Sequence, residues 1–221
     1  MKEGDIVKID IGVHVDGYIG DTALTISLGE QEDLLEASKK ALYEAINLVR
    51  PGVKIKEIGE VIQKTIEDFG FKPIRNLTGH GLKRFDIHAD PQIPNIKIDS
   101  NEELKEDDVI AIEPFASNGN GFVRDLEDVR IFSIIENENK IRSPEAREIY
   151  AFGMKRYGLP FASRWLNMPY IKFRIGLKEL LLKNMIYPYY VLVEKEGALV
   201  SQFEHTIIVK DKPIIITSSP D

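Results

Sequence analysis

Apolar and polar residues alternate with period two near the start of the chain. Ile9, Ile11, Val13 and Val15 interleave with Lys8, Asp10, Gly12, His14 and Asp16, the pattern of a half-buried strand. Asp16-Gly17 follows, a strong two-residue turn signal. With that pair at the tip of a hairpin, Val15 stands against Tyr18, Asp10 against Ala23 and Gly12 against Asp21. Asp10 and Asp21 then share one face as diagonal neighbours, with backbones roughly 7 Å apart, and Gly12 has no side chain to fill the gap. Two carboxylates so placed either repel until one keeps its proton, or flank divalent ions, or are ordinary solvated residues on a wet sheet face.

The period then changes. Leu34, Leu35, Ala41, Leu42, Ala45 and Val49 predict a helix over 33–49 that Pro51-Gly52 stops. Ile55, Ile58, Val61, Ile62, Ile66 and Phe69 predict a second, ended by Gly70. Both are expected to pack on the apolar face of the sheet that includes the hairpin, an α+β layer. Residues 76–95 read as loops and short strands, and the acidic stretch 99–108, "DSNEELKEDD", as a solvated loop. Val109, Ile110, Ala111 and Ile112 make a short buried strand ending on Glu113, a carboxylate that needs a partner there. Ser143-Pro144-Glu145 opens a helix toward Tyr157 and the Gly158 stop, and another is expected over 171–184. The tail reads as a strand, a turn near Glu196-Gly197 and a closing strand, on which Gln202, Glu204 and Thr206 alternate with Ser201, Phe203, His205 and Ile207.

Composition narrows the chemistry. With 221 residues, 43% of them hydrophobic, the chain can build one large or two small cored domains. A net charge of -7 without a Lys/Arg run argues against nucleic-acid binding. The absence of cysteine excludes disulfides and thiolate sites, so any metal must use Asp, Glu, His or water, which suits harder divalent ions. With no apolar signal core and no 18-residue apolar run, no membrane association is expected and a cytoplasmic location is.

Asp10, Asp21, His80, Glu113 and Glu204 are five metal-competent side chains delivered from separate strands and loops. Taken singly, each has an ordinary explanation; His80, between Gly79 and Gly81, could be a turn residue. Together with the blocks "KIDIGVHVDGYIGDTA", "NLTGHG", "IHADPQIPN", "IEPFASNGNGFVRD" and "QFEHTIIV", they make the chain resemble the methionine aminopeptidases, metallopeptidases of the pita-bread fold. The branch resembled is type 2, because 90 residues separate Glu113 from Glu204. That is room for a helical insertion, and "PFASRWL" within it strengthens the likeness.

The resemblance implies an α+β pita-bread core over 1–135, a helical insertion over 136–187 and closing strands over 188–221. It implies two divalent ions (Mn, Co, Fe or Zn), with Asp10 and Asp21 chelating and bridging and His80, Glu113 and Glu204 completing the pair. Such a centre brings the pKa of a bound water toward neutrality, and Glu113 would pass the water's proton to the leaving amine. His88 would touch the substrate near the scissile bond. Ile87 and Tyr189 would line an apolar pocket for the methionine side chain. The implied partners are nascent polypeptide N-termini and the ribosome. His14 and His205 have no counterpart; His205, beside Glu204, is expected to support it.

Two departures accompany the likeness. The family usually places several tens of residues ahead of this hairpin, among them a substrate-binding histidine, whereas here Asp10 stands almost at the start. The expectation is a truncated chain of low activity, self-associating through apolar surface. Ala89-Asp90 stands where Ala-Gly is more usual. Besides the aminopeptidase, a non-catalytic pita-bread protein that binds a protein or ribosome partner stays open, as does, more weakly, a proline dipeptidase.

Overall fold

The computed structural model describes residues 1–218. Asp16 and Gly17 both take positive φ, 51° and 89°, and close a two-residue turn between β1 (Ile6–Val15) and β2 (Tyr18–Ser27). The register is the expected one, with Asp10 opposite Ala23 and Gly12 opposite Asp21, and no bulge parts the two aspartates. The helices α1 (Glu32–Leu48) and α2 (Ile55–Asp68) follow. After them come β3 (Lys72–Pro73), β4 (Thr78–Lys83), β5 (Asp86–Pro94), β6 (Val109–Ile112) and β7 (Phe115–Ser117).

The chain next builds β8 (Arg124–Ile134), α3 (Pro144–Met154), β9 (Phe161–Ala162), α4 (Tyr170–Leu182) and β10 (Ile186–Val193). It closes with β11 (Val200–Gln202), β12 (His205–Ile208) and β13 (Ile214–Ile215). Two compact units result. The first comprises Met1–Arg124 and Glu194–Asp221, the second Asp125–Val193.

In the first unit, α1 and α2 do not cover the hairpin's apolar row. Ile9, Ile11, Val13 and Val15 are 41% to 72% exposed, and Lys8, Asp10, Gly12 and His14 are exposed as well, so neither row of β1 is buried, while Asp10 on the polar row reaches Gln202. The helices instead bury Leu34, Leu42, Ile58, Ile62 and Ile66 against Ile93 of β5, Ile110 and Ile112 of β6 and Ile207 of β12. Each such side chain contributes roughly 1.5–3 kcal/mol by leaving water. That sheet runs β13-β12-β6-β4-β5, and a second small sheet runs β11-β7-β3. Segment 76–95, expected as loops and short strands, is mostly strand: β4 lies inside the sheet, and β5 pairs with it around a bulge at Asp90-Pro91, where the register shifts between His80 and Gly81. The acidic stretch 99–108 forms no strand or helix beyond an isolated bridge at Glu103.

The second unit has its own core of Phe132, Ile149, Phe161, Phe173 and Leu180. The Ser143 hydroxyl caps α3 by accepting from Ala146 N. That helix ends at Met154, three residues earlier than the sequence suggests, and Tyr157 lies past it at φ 58°. Nor is the tail a simple hairpin: β10 pairs in the sheet β10-β8-β9, while β11 belongs with β7 and β3.

Candidate metal centre

The polar face of β2 is stitched to the strand segment 202–206 at three alternate positions. In the middle, Ala23 and Glu204 form an isolated antiparallel bridge, with Glu204 N donating to Ala23 O at 2.9 Å. On either side a threonine hydroxyl replaces backbone pairing. The Thr25 hydroxyl donates to Gln202 O at 2.7 Å and accepts from Gln202 N at 2.8 Å. The Thr206 hydroxyl donates to Asp21 O and accepts from Asp21 N, each at 2.8 Å. Asp21, Gln202 and Glu204 are thus fixed by their own backbones, and all three are buried.

His80 enters from β4, which lies between β5 and β6. Its glycine neighbours follow from crowding rather than from a turn. A Cβ on Gly79 would lie 2.3 Å from Ala111 O, and one on Gly81 2.3 Å from Asp90 O, so only glycine lets the neighbouring backbones approach this closely. His80 Nδ1 lies 3.2 Å from Gly81 O; a carbonyl only accepts, so Nδ1 carries the proton and Nε2 presents a lone pair. That lone pair faces Glu113 Oε1 at 3.5 Å and Asp21 Oδ2 at 3.9 Å. Burial, and His88 beside it, push His80 down to about 4, so the ring is neutral at physiological pH.

The carboxylates are mutually strained. Burial raises Glu204 to about 10, with the charges of Glu113, Asp21 and Asp10 adding to the shift. Burial and Asp10 raise Asp21 to about 6, and burial with Asp10 and Asp21 holds Glu113 well above the usual range. Asp10 is raised too, chiefly by burial, against the pull of Gln202 and Lys8. Glu204 Oε1 is buried with no hydrogen-bond partner. A neutral imidazole lone pair, a buried orphan oxygen and several repelling carboxylates are the donor set a divalent cation satisfies. Ligand atoms of Asp21, His80 and Glu204 lie within 4.8 Å of one another, and Gln202 links Asp10 and Glu113 to the same cluster.

Around this cluster, a Cβ on Gly12 would lie 3.5 Å from Asp21 Oδ1 and 3.4 Å from Ile87 Cδ1, so the missing side chain leaves room for both. The His88 ring stands edge-on to His80, centroids 4.7 Å apart, and burial lowers its pKa. Tyr189 belongs to the second unit, where it packs edge-on to Tyr187 and its hydroxyl donates to Ser133 Oγ at 3.4 Å. His205 does not support Glu204: its Nδ1 lies 3.0 Å from Thr217 Oγ1 and its Nε2 3.4 Å from the Tyr43 hydroxyl, because successive strand residues face opposite ways. His14 stays a sheet residue, accepting from Gly17 N. Gln202, Thr25 and Thr206 are additions to the sequence reading. Their signal was the polar alternation Gln202, Glu204, Thr206, which has no place in an apolar core strand.

Comparison with known proteins agrees with this geometry. The family model described as metallopeptidase family M24 matches residues 1–211. A methionine aminopeptidase of Thermococcus onnurineus is 47% identical over 223 residues, covering 99% of this chain and 75% of its own length. Among solved structures, a thermophilic Arx1 superposes with a TM-score of 0.84 at 21% identity, over 100% of this chain and 68% of its own, a likeness of fold. The methionine aminopeptidase of Thermotoga maritima gives a TM-score of 0.67 at 26% identity, over 99% and 66%. The fold is the α+β pita-bread fold these proteins share, and the chain belongs to metallopeptidase family M24, in its type 2 methionine aminopeptidase branch.

Proposed function

We propose that this chain is a metalloaminopeptidase that removes the N-terminal methionine from nascent proteins and peptides, using two divalent ions held by Asp10, Asp21, His80, Glu113 and Glu204. The observation that carries this reading is the neutral His80 lone pair turned toward Glu113 and Asp21, beside a buried Glu204 oxygen with no partner, an arrangement a cation between the groups satisfies. Bound there, the ions supply an activated water and a Lewis acid for the first peptide carbonyl. Glu113, just past the end of β6 and beside His80 Nε2, would take a proton from such a water and return it to the leaving amine. His88 steadies the substrate beside the scissile bond, and Ile87, over Gly12, forms one apolar wall for the methionine side chain.

The helices within 136–187 are proposed as an insertion into the catalytic core, and the enzyme as acting in the cytoplasm on emerging chains, with the ribosome as a partner; among the described residues no helix is long and apolar enough to cross a membrane. The exposed row Ile9, Ile11, Val13 and Val15 favours a further reading, in which this face associates with another copy or serves a non-catalytic pita-bread protein as a partner surface. Release of free methionine from a Met-Ala-Ser peptide by metal-loaded protein tests the choice. Metal binding without release would favour the non-catalytic reading.

A further inference from the structure

The polar groups crowded at the metal centre include one that is neither ligand nor base. Gln202 is 3% exposed, and its Nε2 lies 3.1 Å from Asp10 Oδ2, 3.1 Å from Glu113 Oε2 and 3.5 Å from Glu204 Oε2. An amide nitrogen has two protons and no lone pair to offer. It therefore satisfies Asp10 and Glu113 fully and Glu204 weakly, and all three carboxylates must turn one oxygen toward it. The opposite oxygens are left for other work: Glu113 Oε1 faces His80 Nε2, and Glu204 Oε1 is the buried oxygen with no partner. The Gln202 backbone is itself held at both its N–H and C=O by the single hydroxyl of Thr25, so the amide is delivered from a fixed base.

We propose that Gln202 is the positioning residue of the metal centre, a neutral donor that takes one oxygen from each of Asp10, Glu113 and Glu204 and so turns their remaining oxygens toward His80 and the cations. This rests on the metal-centre reading above. Gln202 ends β11, two residues before Glu204, but serves Asp10 of β1 and Glu113, just past β6, as well, so a single side chain orients groups from three parts of the chain. Its amide gives Asp10 and Glu113 a hydrogen-bond donor before any ion arrives.

The test compares wild-type protein with Gln202→Met, which keeps the length and bulk of the side chain and removes the donor. Partners that orient metal ligands typically cost about 10- to 100-fold in metal affinity when removed. Calorimetric titration with Mn(II) should show a loss of that size. The visible absorption of the Co(II)-loaded variant should change, because the carboxylates will bind in altered geometry. A lower melting temperature with wild-type Mn(II) affinity and an unchanged Co(II) spectrum would make Gln202 merely structural and overturn the assignment. Should the variant not fold, the side-chain amide of Gln202 in wild-type protein carries the test by nuclear magnetic resonance: it must shift in step with added diamagnetic Zn(II), and a resonance that stays still overturns the proposal. Wild-type protein that takes up no ion at all would instead overturn the metal centre and this inference with it.

Discussion

The Thr206 hydroxyl both donates to Asp21 O and accepts from Asp21 N, at 2.8 Å each, so one side chain replaces a backbone pairing and sets the height of a candidate ligand. Both residues are buried. Thr206→Val keeps the shape and strands an N–H and a C=O away from water. The expected loss of stability is about 1–3 kcal/mol, read by urea unfolding, with Mn(II) binding weakened in parallel. Thr206→Ser should recover most of both. A valine variant as stable as wild type would mean the strands pair without the hydroxyl.

Substitution of the candidate ligands should separate them from their neighbours. Calorimetry is expected to find close to two Mn(II) ions per chain, a dinuclear centre that relieves several carboxylates at once. Asp10→Asn and Glu204→Gln should weaken uptake strongly. His205→Gln should leave it near wild type, because that ring engages Thr217 and Tyr43 instead. Equal losses in all three would refute the ligand set.

Metal removal should make stability depend on pH with a defined sign. The folded carboxyls of Glu204, at about 10, and Glu113, also raised, favour their protons; the stability they contribute is complete below the ordinary carboxyl range near 4.5 and is lost as pH rises through the folded values. His80 acts oppositely, its contribution present above 6.5 and lost as pH falls toward about 4, and it opposes Asp21, raised from 3.8 to about 6, over nearly the same interval. Lys8, lowered chiefly by burial, opposes the glutamates as pH rises through its folded value. From pH 6.5 to about 8 the melting temperature of chelated protein should therefore fall as pH rises. Added Mn(II) should raise it by mass action, with an increment that grows over the same range. A flat profile with chelator, or no rise with metal, would count against a shared carboxylate cleft.

How much of this was legible beforehand depended on what each residue answers to. The hairpin register was legible because Asp16-Gly17 permits a single tight turn, and counting from it placed Asp10 and Asp21 on one face. The direction of that face was not: period two says that faces differ, never which one meets the core, and Ile9 to Val15 point outward. His80 alone could equally have been a turn residue, because glycine on both sides is ambiguous, and the family likeness was what made it a ligand. The contacts that demand those glycines come from Ala111 and Asp90, which only the folded sheet brings near. Gln202 stood in plain view in an alternating polar row, yet its reach to Asp10 and Glu113 is a long-range fact that no local spacing encodes.

His88 and Glu113 should fail in different ways when changed. Glu113 is proposed both as a ligand and as the proton carrier, so Glu113→Gln should lower Mn(II) affinity and methionine release together. Its cost in turnover should be on the order of 10²–10⁴-fold, the usual worth of a positioned acid or base. His88 stands beside His80 at 4.7 Å between ring centroids, and its proposed work is on the substrate alone. His88→Ala should then leave Mn(II) binding close to wild type while kcat/KM on a Met-Ala-Ser peptide drops about 10²-fold. The fall should lie mainly in kcat if the ring donates to the reacting carbonyl or amine as charge develops, and mainly in KM if it only holds the bound peptide. Removing the ring also takes away an edge contact that packs His80, so metal titration and turnover must be measured on the same preparation. Loss of Mn(II) binding in His88→Ala equal to that in Glu113→Gln would place His88 in the support of the metal site and remove it from the substrate.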